Sequence, residues 1–225
     1  MKIGVIGAGR IGGNAARLFV AAGHEVLLSF SRDQSRLEAA AAELGPRARA
    51  GTVAEAAAFG DVVFLSVPWT QVEAVLAEAG PLDGKIVIDT TNQFGREGWQ
   101  ELPGGATAAQ VNQNRIPGAR LVKSFNTLTA AFQASEAGRP AAQRVVLFMA
   151  GDDAEAKKVV AGLIDDAGFA AVDLGGLADA APLEAPRRPG ALYGEEYRPA
   201  EAEAAVAALR AGRPLPPTPD YPAEG

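Results

Sequence analysis

The chain has 225 residues, 48% of them hydrophobic, with a formal net charge of −6, a single histidine and no cysteine. That length suffices for one well-buried α/β domain with a small appendage, and the acidic balance supplies no basic face for nucleic acid. Without cysteine there are no disulfides, thiolate nucleophiles or thiolate-held metals, and no apolar run approaches the roughly 18 residues of a membrane span. The chain opens on a strand pattern rather than a signal sequence, so a cytoplasmic protein with neither membrane nor nucleic-acid partners is expected.

Met1 to Gly12 reads as a short buried strand (Ile3, Val5, Ile6) that runs into a glycine-rich turn opening a helix, whose apolar positions Ala15, Ala16, Leu18 and Phe19 keep helical spacing. The turn has the G-x-G-x-x-G form that receives the pyrophosphate of a dinucleotide. Gly7 allows the tight turn, Gly9 lets the backbone approach the phosphates, and Gly12 lets helix and strand pack closely. Together with Arg10 and Ile11 at the helix start, these residues form the expected cofactor cradle, with free N–H groups aimed at the anion.

The second strand, Glu25 to Leu28, ends where an NAD-binding protein carries an Asp or Glu for the ribose 2′-hydroxyl. Here Ser29, Ser31, Arg32 and, one helical turn on, Arg36 offer hydroxyl and guanidinium donors suited to a 2′-phosphate instead. One charge-assisted bond of about 1.5 to 3 kcal/mol favours NADP by about one to two orders of magnitude. Asp33 is the one acid nearby, and it reads as the N-cap of a helix running to Leu44.

Further strands are predicted at Val62 to Val67, Lys85 to Asp89, Leu121 to Phe125, Val145 to Met149 and Ala171 to Leu174, with helices at Thr52 to Ala58, Thr70 to Ala79, about Thr107 to Asn114 and Asp153 to Ala167. Apolar strands alternating with helices imply a Rossmann-like, doubly wound, mostly parallel sheet. The expected division is a nucleotide-binding domain over residues 1–180 and a C-terminal extension over 181–225. In the extension, Pro199 to Ala211 reads as an exposed helix, and Pro214, Pro216, Pro217, Pro219 and Pro222 make a non-helical tail, loose or draped over a neighbour.

Ligands of such sheets lie outside the carboxyl ends of the strands, so the residues just after each strand are the candidates. Ser66, Val67, Pro68 and Trp69 follow the third strand, Thr90 to Gln93 the fourth, and Ser124 to Thr127 the fifth. Pro68 also suits a helix start, Trp69 suits packing, and Asn92 is either a turn residue or a cofactor contact. His24 lies at the opposite edge of the sheet, and Lys123 is either a cleft residue or a solvated charge. Asp152, Asp153 and Glu155 read as acids at a helix start rather than metal ligands. No Ser-His-Asp set can be built, and alcohol oxidation needs a protein base. Hydride transfer between two cofactor rings does not, because the rings carry the chemistry.

The chain resembles the coenzyme F420-dependent NADP oxidoreductases, whose nucleotide domain is in turn similar to that of the STEAP metalloreductases. Besides the glycine motif, the resemblance runs through Gly23 to Val26 leading to Ser31 and Arg32, Ser66 to Trp69, Gly84 to Asp89 with Asn92, Val122 to Thr127, Ala150 to Lys157, and Gly168 to Leu177. It implies a homodimer that passes hydride between NADP(H) and a deazaflavin stacked near Asn126, Thr127 and Leu128. Two departures keep the acceptor open. Asn92-Gln93 stands where the family commonly has Asn-Pro, and Ala181 to Tyr197, with Arg187 and Arg188, differs from the family's apolar C-terminal part. The two arginines either grip an acidic ligand tail or remain solvated. A flavin, quinone or small-metabolite acceptor and a non-catalytic NADPH-binding role are the alternatives. Too little chain follows Thr127 to build the long helical domain of hydroxyacid or imine reductases.

Overall fold

The computed structural model describes residues 1–31 and 33–221. The elements follow in chain order as β1 (Lys2–Ile6), α1 (Arg10–Ala21), β2 (Glu25–Ser29), α2 (Gln34–Glu43), β3 (Ala48–Ala50), α3 (Val53–Phe59), β4 (Val62–Leu65), α4 (Val72–Ala79) and β5 (Ile86–Asp89). A short hairpin, β6 (Phe94–Gly95) and β7 (Gly98–Trp99), precedes α5 (Ala108–Arg115), β8 (Arg120–Lys123), α6 (Ala130–Glu136), β9 (Val146–Gly151), α7 (Ala154–Asp166), β10 (Ala170–Gly175) and α8 (Pro199–Arg210).

Eight strands form one sheet in the order β10-β9-β8-β5-β4-β1-β2-β3, parallel throughout except where β9 meets β8. From β1 the chain winds outward to β2 and β3, then returns to β4 on the other side. The switch point therefore lies between β1 and β4, where a crevice opens beyond the strand ends. This is the doubly wound, Rossmann-like α/β arrangement that the alternation predicts.

Both faces of the sheet are covered, which is why its strands are apolar runs rather than alternating ones. On one face Phe19 of α1 meets Phe64 of β4 edge-on at 5.8 Å and Phe125 at 6.1 Å, with Leu37 and Ala41 of α2 and Val160, Leu163 and Ile164 of α7 in the same cluster. On the other, Val53, Ala56 and Ala57 of α3 and Val72, Val75 and Leu76 of α4 pack against Val63, Leu65 and Val87. The C-terminal residues Leu177, Leu183, Leu192 and Tyr197 join that second cluster.

Several elements differ from the sequence-based expectation. Strand β3, helix α6 and the β6–β7 hairpin carry too short a periodic pattern to be read from the chain. The third long strand stops at Leu65, so Ser66 and Val67 belong to the following loop, and Trp69–Gln71 forms a 3-10 turn before α4. Helix α8 is not exposed on all sides: Ala202, Ala205, Val206 and Ala208 are buried, and the helix packs on β10. Alanine gives little hydrophobic signal, yet its small side chain allows close packing. The proline tail is non-helical and runs over its own chain. Tyr221 Oη accepts from the Arg198 N–H at 2.9 Å, and the Arg198 guanidinium lies 4.1 Å from the tyrosine ring centre. Pro222 lies outside the described residues. Among the described residues, no helix is long and apolar enough to cross a membrane.

Candidate functional site

A cleft of about 920 Å³ opens at the switch point. Gly7 and Gly9 form its floor, Ser31 and Arg36 one wall, and Ser66 and Pro68 the other. The turn is pinned between strands: the Gly7 N–H donates to Ser29 O at 3.0 Å, and the Ser66 N–H donates to Ile6 O at 2.8 Å.

Each motif glycine has a separate steric reason. Gly7 has φ of +112°, and a Cβ there would stand 2.1 Å from the Ser66 carbonyl oxygen. A Cβ on Gly12 would meet Gly7 O at 2.0 Å, so helix and turn touch backbone to backbone. A Cβ on Gly9 would have nothing within 4 Å beyond its chain neighbours and its own helix, so a side chain there would occupy open space beside the first turn of α1. That turn has no side-chain cap and no acidic residue, whereas α2, α3, α5, α6 and α7 each begin on an Asp or Thr that accepts from a first-turn N–H. Uncapped amides facing an open cradle match the shape and polarity of a diphosphate. Arg10 is exposed at the first position of α1, while Ile11 packs into the core.

The ribose side is mixed. Ser31 is exposed in the cleft, and its Oγ accepts from the Asp33 N–H at 3.3 Å. Asp33 also lines the cleft, but its Oδ1 accepts from the Arg36 N–H at 3.2 Å and so caps α2. The Arg36 side chain is exposed in the cleft wall, with no salt bridge among the described residues. Arg32 lies outside the described residues. Ser29 does not reach the cleft: it is fully buried, and its hydroxyl donates to Val5 O at 3.1 Å. The side-chain period of two turns this strand-end serine inward.

On the opposite wall, Ser66 and Pro68 face the cleft, while Val67 and Trp69 are buried. The Arg115 guanidinium lies 4.9 Å from the Trp69 ring centre, which makes Trp69 a packing residue. Phe30 and Phe125, each just past the end of a strand, are the non-glycine residues with positive φ among the described ones, at 57° and 60°. Such backbone concentrates where a ligand edge must be shaped.

Asn92 and Asn126 are brought together, but chiefly with each other. Asn92 Nδ2 donates to Asn126 O at 3.1 Å, and Asn126 Nδ2 donates to Asn92 Oδ1 at 3.1 Å and to Leu183 O at 2.7 Å. The Ala185 N–H donates to Asn92 Oδ1 at 3.2 Å, and the Gly194 N–H to Thr127 O at 2.8 Å. Asn126, Thr127 and Leu128 thus lie buried beneath a strap formed by residues 183–194. Burial also pushes the Tyr193 phenol on that strap above its ordinary pKa. Arg187 pairs with Glu195, and Arg188 donates to the carbonyls of Ala181, Glu184 and Pro186 at 2.7 to 2.9 Å, so both arginines already serve the strap.

Beneath the strand ends lies a charged network that the sequence did not reveal. Lys123 is fully buried rather than solvated. Its Nζ donates to Asp89 Oδ2 at 3.1 Å and to the Thr91 carbonyl, while Asn112 Nδ2 donates to the same Asp89 oxygen at 2.9 Å. Glu184, also buried, accepts from the Ala108 and Ala109 N–H groups at 2.8 and 2.9 Å and so anchors the strap to the start of α5. An acid closing an apolar strand, as Asp89 does, is the one sequence sign of the first network; Glu184 carries none. Asp153 caps α7, and Asp152 accepts from the Leu177 N–H at 2.8 Å. His24 bonds the N-terminal amine and Asp166 at the far edge.

A family model described as NADP oxidoreductase, coenzyme F420-dependent, matches residues 2–93. The metalloreductase STEAP3 of Rattus norvegicus is 30% identical over 184 residues, which are 82% of this chain and 36% of that protein. The chain therefore spans about a third of that curated relative. Among solved structures, a hypothetical protein from Sinorhizobium meliloti is 32% identical with a TM-score of 0.77, the match covering 88% of this chain and 95% of that one. A candidate F420-dependent NADP-reductase from Arthrobacter sp. FB24 is 29% identical with a TM-score of 0.66, covering 80% and 87%. The cradle around Gly9 lies within residues 2–93, the part of the chain that is similar to the coenzyme F420-dependent NADP oxidoreductases.

Proposed function

We propose that the protein binds NADPH in the switch-point cleft and passes its hydride to a deazaflavin of the coenzyme F420 class. The observation that carries this reading is the open space at Gly9 beside the uncapped amides of α1. Those amides and Arg10 would hold the pyrophosphate, and Arg36 with Ser31 and Arg32 the 2′-phosphate. Ser66 and Pro68 would border the nicotinamide half, above strand ends held rigid by Asp89 and Lys123. When bound, the reduced nicotinamide supplies the hydride. The chain's part is to orient two rings and exclude water, which fits a site whose buried ionisable side chains, Asp89, Lys123 and Glu184, are engaged in structure. Asn92, Asn126, Thr127 and Leu128 would act as the floor beneath the ring, through the strap they anchor. The family resemblance extends the proposal to a homodimer, which sedimentation at micromolar concentration tests.

Purified protein should bleach the absorbance of oxidised F420 when NADPH is added. Arg36→Ala should weaken NADPH binding by about one to two orders of magnitude while leaving NADH binding nearly unchanged. Equal losses for both nucleotides would overturn the 2′-phosphate assignment. Tight NADPH binding without oxidation by F420, FMN or a quinone would replace the enzyme with a nucleotide-binding protein.

A further inference from the structure

Apart from Met1, the large hydrophobic side chains that stand exposed among the described residues are Phe94, at 44%, and Trp99, at 43%. They are not scattered. Phe94 lies directly opposite Trp99 across the β6–β7 hairpin, so both rings project from the same face. The hairpin issues from Gln93, immediately after the strand end that carries Asn92, and the Gln100 N–H donates to Gln93 O at 2.9 Å to close its base. Its first strand packs on the Trp69–Gln71 turn, whose Thr70 and Gln71 line the nucleotide cleft. Two aromatic faces are therefore held beside a turn that lines the cleft, on a short, backbone-bonded support.

We propose that Phe94 and Trp99 form the docking platform for the planar conjugated ring of the hydride acceptor. This rests on the reading of the cleft as an NADPH site. A flat ring is the occupant that two aromatic faces beside a hydride donor suit best, because stacking needs area and orientation but no partner charge. A second copy of the chain fits less well. The two half-exposed rings offer together roughly 150–200 Å², far below the roughly 800 Å² per partner of a stable interface. In the reaction the ring takes one hydride from reduced nicotinamide at carbon and one proton from water at nitrogen, and oxidised nicotinamide is left.

The test compares wild type with the double variant Phe94→Ser/Trp99→Ser and the conservative Phe94→Tyr/Trp99→Phe. Three quantities are read: the Kd for F420 by equilibrium dialysis without NADPH, the Kd for NADPH, and KM and kcat with F420 and with FMN as acceptors. The serine variant should raise the F420 Kd and KM at least tenfold with NADPH binding unchanged, and the conservative variant should remain within about threefold of wild type. An F420 Kd unchanged in the serine variant overturns the proposal, as does its conversion of a dimeric protein to monomers with F420 binding intact. If wild type binds F420 and loses it in the serine variant yet never oxidises NADPH, the platform stands and the reductase reading falls.

Discussion

Lys123→Met isolates the energetic role of the network beneath the site. The wild-type ammonium and the Asp89 carboxylate are both fully buried, 3.1 Å apart, with Asn112 Nδ2 at 2.9 Å and the Thr91 N–H at 2.8 Å completing the carboxylate's partners. Removing the cation keeps the aliphatic volume but leaves a buried anion held only by neutral donors. Breaking such a pair from one side costs about 3–5 kcal/mol. For a domain of this size each kcal/mol shifts the melting temperature by about 2–4 °C, so a fall of roughly 6–20 °C is expected. Adding Asp89→Asn removes the stranded charge while keeping an acceptor for the Thr91 N–H, so the double variant should recover most of the loss. Urea denaturation of wild type, both single variants and the double variant gives the coupling directly. A Lys123→Met cost below about 1 kcal/mol, or a double variant whose loss equals the sum of the singles, would refute the argument that the charges depend on each other.

The motif glycines should separate binding from stability. Gly9→Val places its side chain in open space and should abolish NADPH binding in calorimetry with little change in melting temperature. Gly12→Val forces its Cβ against Gly7 O and should lower the melting temperature sharply; equal thermal effects of the two would contradict the geometry. Val206→Asp puts a carboxylate into the buried face of α8 and should cost about 2–4 kcal/mol in urea unfolding. A neutral result would return α8 to the exposed helix that its composition suggests.

How far the sequence reaches is visible in particular residues. The glycine turn, the Asp33 cap and the doubly wound alternation follow from rules that act within a few residues: φ at a glycine, a side chain reaching an N–H three positions on, and unbroken apolar strands. Those were legible along the chain. The orientation of Ser29 and the burial of Lys123 were not, because residue type alone does not say which face of a strand end meets the core. The same holds for the Asn92–Asn126 amides, whose partners Leu183 and Ala185 lie 57 and 93 residues further on. Glu184 reaching the start of α5 and the small-residue face of α8 seated on β10 are likewise long-range choices. Local chemistry determined a dinucleotide-type cradle, whereas only the closed chain decided that the C-terminal strap covers the neighbouring strand ends, since that depends on which buried polar groups find each other.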